Sequence, residues 1–211
     1  IEEEWQCPFE VFNDGDVTAL AGAIAMKRTG ILGMAMGSSE AVGYINPKGA
    51  LTGRINELAF APVDLNPNAP KDEWSGDAGV GAMYFSQQAV DHLARLFGFK
   101  FPKSMKLPER LKVVQEAMEK HDEKALRVYL MIGRYLANAA AWYREFYDYS
   151  NLMVLGRVTS GFGGEVILNT AKMGLEAVDP YLAEQIDIFM PDEKTRRLGQ
   201  SVAAAQIPVV A

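Results

Sequence analysis

Residues 30–45, GILGMAMGSSEAVGYI, constrain what this chain can fold into more than any other stretch. Residues 31–36 are an apolar run, Gly37, Ser38 and Ser39 form a tight polar turn, and residues 41–45 resume the apolar run. This is the pattern of two strands joined by a short connection. A glycine-hydroxyl turn presents backbone N–H groups and two hydroxyls together, the donors that a phosphate requires. Asn13, Asp14, Gly15 and Asp16 precede the hairpin, and Asn56 and Glu57 follow it. Three polar clusters around one apolar hairpin predict a site at the end of a sheet.

The flanking segments predict a mixed α/β order. Residues 9–12 read as an edge or entering strand. Asn13 and Asp14 then stand where a strand yields to a helix with apolar faces over 18–26 and Lys27 and Arg28 near its C-terminus. An Asn-Asp pair there is ordinary capping chemistry as well as a candidate site. Glu57, flanked by apolar residues, is placed either to bond a substrate hydroxyl, to accept local backbone donors or to face water.

Prolines and asparagines make 65–74 a loop, after which helices are expected at about 79–97, 111–118 and 123–147. These form a helical insert over about 75–148. The longest helix, near 123–147, carries Gly133, Ala137 and Ala140 at helical spacing, which permits close packing, and Trp142, Phe146 and Tyr149 form a second stripe suited to core or subunit interface. Residues 151–155 read as a buried strand running into a glycine-rich turn over 156–164 and a further helix. A short strand at 186–190 and a final helix at 195–205 close the chain.

Composition narrows the function classes. With 211 residues, 49% of them hydrophobic and 23% charged, the chain is long enough for a sizeable core in one domain or two small ones. A net charge of -6 argues against nucleic acid, since a phosphate-binding surface of that kind is basic. Cys7 is the only cysteine, which excludes an intrachain disulfide and a cysteine-rich zinc site and favours a reducing, cytoplasmic setting. No apolar run approaches the ~18–20 residues of a membrane span. The start at Ile1 has neither methionine nor a signal-peptide pattern, so a preceding region is expected.

At Asn13 and Asp14, at residues 36–44, at Asn56 and Glu57 and at residues 154–158, the chain resembles the carboxyl-side portion of ROK-family sugar kinases, relatives of hexokinase in the actin-like ATPase superfamily. The match lies in motif order and spacing across most of the chain. The resemblance implies a ribonuclease-H-like ATPase domain of α/β class, a mixed sheet with packed helices. It further implies that Asp14 is the catalytic base, that Asn13 and Glu57 bind sugar hydroxyls, that Gly37 and Ser38 lie in the second phosphate turn, and that Gly156 lies in the loop forming the adenosine pocket. ATP and Mg2+ are the implied cofactors.

Several positions depart from the family pattern. Its Asn-Asp-Ala-Asn becomes Asn13, Asp14, Gly15 and Asp16, and its Gly-Glu-Ile-Gly-His becomes Asn56, Glu57, Leu58, Ala59 and Phe60, so a phenyl ring replaces a sugar-contacting imidazole. Ser39 and Ala41 stand where glycine is usual in the phosphate turn. Arg157 replaces a glycine near adenosine, where it either meets phosphate, stacks on the base or plugs the site. The cysteine-rich zinc segment is absent, and His92 and His121 read as surface or packing residues, with no metal site expected.

The family's amino-side domain, with its Asp-x-Gly-Gly-Thr phosphate loop, has no counterpart in residues 1–30. The expectation is therefore that residues 1–211 form the second domain of a longer protein that phosphorylates a sugar when intact, the fragment alone being inactive. The alternative is a noncatalytic sugar-sensing or interaction domain on the same fold. A homodimer is compatible with both; neither membrane nor nucleic acid is an expected partner of this domain.

Overall fold

A computed structural model of the chain describes residues 2–6 and 13–192. The strand expected at 9–12 and the helix expected at 195–205 lie outside those residues. After a single turn, α1 (Glu2–Trp5), the fold proper begins with α2 (Asp14–Met26), β1 (Ile31–Met36) and β2 (Glu40–Ile45). Three helices follow, α3 (Gln87–Leu96), α4 (Leu107–Glu119) and α5 (Glu123–Arg144). The remainder is β3 (Asn151–Leu155), α6 (Phe162–Val178), α7 (Pro180–Ala183) and β4 (Asp187–Phe189).

The strands form one mixed sheet in the order β2-β1-β3-β4. β1 and β2 are the antiparallel hairpin read from the sequence, with Met36 opposite Glu40 at the turn, whereas β3 lies parallel to β1 and β4 parallel to β3. A parallel neighbour demands a crossover, which the α3–α5 insert provides between the hairpin and β3.

Strand periodicity of two divides the core. Ile31, Ile45, Met153 and Phe189 pack with Ala19 and Ala23 of α2. Leu32, Met34, Met36, Leu152, Val154 and Ile188 turn to the opposite face and join the larger cluster built with the other helices. Both faces are therefore covered, which is why β1 and β3 read as continuous apolar runs rather than alternating ones.

The insert departs from expectation at its start. The helix expected from residue 79 begins at Gln87, capped by the Ser86 hydroxyl, which accepts from the Gln88 N–H at 3.0 Å. Backbone bonding upstream explains the delay: the Gly79 N–H donates to the Pro70 carbonyl at 3.0 Å, and the Gly79 carbonyl accepts from Val63 at 2.8 Å. Val80 bridges Pro62, so these residues are committed to the preceding loop. Val80, Met83 and Tyr84 are buried as their apolar character requires, but outside an α-helix.

The next helix is longer than 111–118. It starts at Leu107 because Pro108 occupies its first turn, where a missing N–H costs nothing. α5 stops at Arg144, short of residue 147, and is capped by Asp122, whose carboxylate accepts from the Lys124 and Ala125 N–H groups at 2.8 and 3.0 Å. Its small residues meet α6: a Cβ on Gly133 would lie 2.6 Å from Thr170 Cβ and 2.8 Å from the Ile167 carbonyl oxygen. The aromatic stripe divides. Tyr149 is buried and donates to the Ala140 carbonyl at 2.6 Å, while Trp142 and Phe146 stay exposed and meet edge to face at 4.9 Å.

Candidate functional site

The site forms where β1 and β3 end side by side. Beyond Met36, the turn is closed by the Gly37 N–H donating to the Ser39 carbonyl at 2.9 Å. The start of α3 holds it from the other side, the Gln87 N–H donating to the Gly37 carbonyl at 2.9 Å. Ser38 and Ser39 are left exposed. Beyond Leu155, Gly156 adopts φ +111, and a Cβ there would lie 2.5 Å from the Met36 carbonyl oxygen. Only glycine allows that approach, which lays the 156–164 loop against the end of β1 and brings Gly156 beside Gly37. Arg157 is exposed; its carbonyl accepts from Gln115 Nε2 at 2.9 Å, and its side chain forms no ion pair among the described residues.

The second flank is the start of α2. Gly15 and Gly43 sit back to back: a Cβ on Gly15 would strike the Val42 backbone, and one on Gly43 would strike the Gly15 backbone. This contact presses the N-terminus of α2 onto β2. Asn13 caps the helix, its Oδ1 accepting from the Gly15 N–H at 2.8 Å, which orients the amide so that Nδ2 points outward. Nδ2 donates to Glu57 Oε1 at 3.0 Å. Glu57 is thus an exposed carboxylate bonded to Asn13, with no capping bond to its own 3-10 turn, Leu58–Phe60.

A second bond runs beneath the first. Asn56 Nδ2 donates to Asp16 Oδ1 at 2.8 Å, and the Tyr44 N–H reaches the same oxygen at 3.4 Å. Asn56 is buried. Burial raises the Asp16 carboxyl above its ordinary value of 3.8, opposed by those two donors. Asp14, in the first turn of α2, is exposed, and its carboxylate takes no hydrogen bond or ion pair among the described residues.

Asn13, Asp14 and Glu57 are thus brought together, as are Gly37, Ser38, Gly156 and Arg157. The first group stands at the start of α2 against β2, the second at the ends of β1 and β3. Phe60 turns to Trp74, ring centroids 5.5 Å apart, and offers no hydrogen bond to a ligand.

Two features escaped the sequence reading. A cavity of about 620 Å³ opens beside the turn, lined in part by Ser38, Gln87, Lys103 and Lys106, with Asp72 and Arg110. No local motif marks those lysines, because α3 and the 97–106 loop bring them in from more than 60 residues away. Glu40, the residue after the turn, is buried to 5% exposure. A glutamate inside an otherwise apolar strand was its only signal.

The solved structures similar to this chain define the class of fold. A ROK-family glucokinase from Streptomyces griseus, solved with glucose and AMPPNP, superposes with a TM-score of 0.73 at 18% identity over 97% of this chain and 70% of its own. ROK hexokinase from Thermus thermophilus gives a TM-score of 0.70 at 18% identity, covering 96% of this chain and 66% of its own. A ROK-family transcriptional regulator, a homologue of the E. coli MLC protein, gives 0.73 at 15% identity over 97% of this chain and 53% of its own. No family profile matches the sequence, and no curated protein matches it.

The fold is that of the ROK sugar kinases and regulators, a mixed sheet with packed helices of the actin-like ATPase type. The chain spans between about half and 70% of those three structures. No helix among the described residues is long and apolar enough to cross a membrane.

Proposed function

We propose that this chain is the carboxyl-side domain of a two-domain, cytoplasmic sugar kinase. The observation that carries the reading is the Asn13–Glu57 bond, which joins two expected sugar ligands at 3.0 Å beside an unengaged carboxylate, Asp14. Asn13 keeps a second Nδ2 hydrogen and Glu57 a second oxygen, so the pair offers one donor and one acceptor to neighbouring hydroxyls. Asp14 then accepts the proton of the attacking hydroxyl, as general-base catalysis requires.

The residues at the strand ends fit a nucleotide. Gly37 and Ser38 would form the turn that holds phosphate, with the exposed Ser38 hydroxyl as a donor, and the loop that Gly156 lays against the end of β1 would take the adenosine side with Arg157 at its rim. ATP with Mg2+, when bound, supplies the transferable phosphoryl group and screens its charge. The protein's own part is to position the hydroxyl, to remove its proton and to place donors around the phosphoryl oxygens. An amino-side domain would close the cleft, and the exposed Trp142 and Phe146 suit a homodimer contact.

One observation favours a second reading, a noncatalytic sugar sensor: a ROK-family regulator shares the fold as well as the glucokinase does. Phosphorylation of a sugar panel by the full-length protein with ATP and Mg2+ separates them. Saturable turnover that D14N abolishes supports the kinase. Sugar binding without turnover in the presence of an upstream phosphate loop supports the sensor.

A further inference from the structure

Glu40 is the first residue of β2 and follows the Gly37, Ser38 and Ser39 turn directly. Neither of its carboxyl oxygens has a hydrogen-bond partner, although both are buried. Oε2 and the carbonyl oxygen of Leu58 crowd the same side of Gly81, since a Cβ on Gly81 would strike both. Glu40 is therefore wedged between the phosphate turn, the Leu58–Phe60 turn that follows Glu57, and a second 3-10 turn, Gly81–Met83.

The charges around it offer no compensation. From α5 it faces Tyr143, whose hydroxyl is also buried without a partner and whose ionisation Glu40 opposes. Tyr149 and Tyr147 likewise oppose the ionisation of that hydroxyl. From α2, the Asp16 carboxylate is turned to Asn56 and to the Tyr44 N–H. The two 3-10 turns bring backbone and apolar side chains. An ionised carboxylate here would be a buried charge without a donor, and burial pushes Glu40 up to about 8. The neutral acid instead carries one O–H to donate, with the Leu58 carbonyl on its side of the wedge.

We propose that Glu40 is a proton-bearing positioning residue that sets the Gly37–Ser38–Ser39 turn in register with the Glu57 side of the site. This deepens the reading of that turn as a phosphate loop and rests on it. Because the neutral acid is the form that fits the folded chain, its stability is fully present below the unfolded value of about 4.5 and is lost as pH rises through about 8. Deprotonation would loosen the turn and the 56–58 segment together.

The test needs no turnover, so its failure is distinct from failure of the kinase reading. Carboxyl-13C glutamate and backbone amide signals of the full chain are followed from pH 5 to pH 9.5 in wild type and in Glu40→Gln. Expected are a Glu40 carboxyl midpoint near pH 8, amide shifts at 37–39 and 56–58 with that same midpoint, and about a tenfold loss of exchange protection there beyond ordinary base catalysis. In E40Q the shared midpoint disappears. A Glu40 carboxyl titrating near 4.5 in wild type overturns the proposal even where E40Q does not fold. So does a Glu40 titration near 8 that leaves both segments unmoved, or a 37–39 midpoint near 8 that survives in E40Q.

Discussion

Two bonds of the same chemistry lie one above the other at the start of α2, and only one is open to a ligand. In the outer pair, Asn13 donates to Glu57 at 3.0 Å and both residues are exposed. In the inner pair, Asn56 donates to Asp16 at 2.8 Å, with Asn56 buried and Asp16 partly so. An amide-carboxylate bond is therefore no functional mark by itself. Burial divides the roles: the outer pair keeps spare donors and acceptors facing solvent, while the inner bond holds the 56–60 segment against α2, with the Asn56 Oδ1 itself buried and without a partner among the described residues.

Variants at and around these pairs sharpen the contrast. The largest effect is expected from D14N, which removes the unengaged carboxylate beside the outer pair. It should lower turnover by about 10²–10⁴-fold, the range of a general base, with the urea midpoint of unfolding unchanged. Unchanged turnover would detach Asp14 from the chemistry.

Gly43→Ala comes next, since its Cβ would strike the Gly15 backbone that carries both pairs. A loss of about 3 kcal/mol in urea unfolding is expected, because backbone on both sides cannot yield as a flexible side chain would. Asn56→Ala should cost about 1.5–3 kcal/mol by the same measurement, as the partly buried Asp16 carboxylate loses its side-chain donor.

Glu57→Gln should do the opposite of Asn56→Ala. It weakens sugar binding about tenfold by calorimetry and leaves stability within about 0.5 kcal/mol. If both variants shifted stability alone, the outer pair would be structural too.

The smallest effect is expected of Asp16→Asn, whose amide oxygen can still accept from Asn56 and Tyr44. Because burial raises the Asp16 carboxyl above 3.8, the folded state binds its proton more readily than the unfolded chain does. Stability from this group is present below 3.8 and is lost as pH rises through the raised value. D16N should remove that acid-side slope in thermal melts across the carboxylate range and change little else.

Much of this arrangement was legible in the sequence, for local reasons. The hairpin was visible because residues 31–45 carry two apolar runs broken by one polar turn, and β1 and β2 fall where those runs lie. The cap at Asn13 was visible because capping acts over two residues. The pairing of Asn13 with Glu57 and of Asp16 with Asn56 was not, because these bonds span 44 and 40 residues and depend on how closely Gly15 meets Gly43. The helix misplaced at residue 79 shows the complementary failure: Val80, Met83 and Tyr84 were rightly read as buried, but burial was taken for helical periodicity. Glu40 was hidden at the start of β2, directly after the turn that drew attention to the site.

The central claim is that the outer pair receives the sugar while the inner pair does not. Its most direct test is side-chain amide NMR of the full-length protein, following the Asn13 and Asn56 Nδ2 signals through a sugar titration. The account predicts that the Asn13 signal shifts and saturates with at least one sugar, that the Asn56 signal stays in place, and that E57Q weakens the response. A saturable shift at Asn56 with Asn13 unmoved, or sugar binding that moves neither amide, would contradict it.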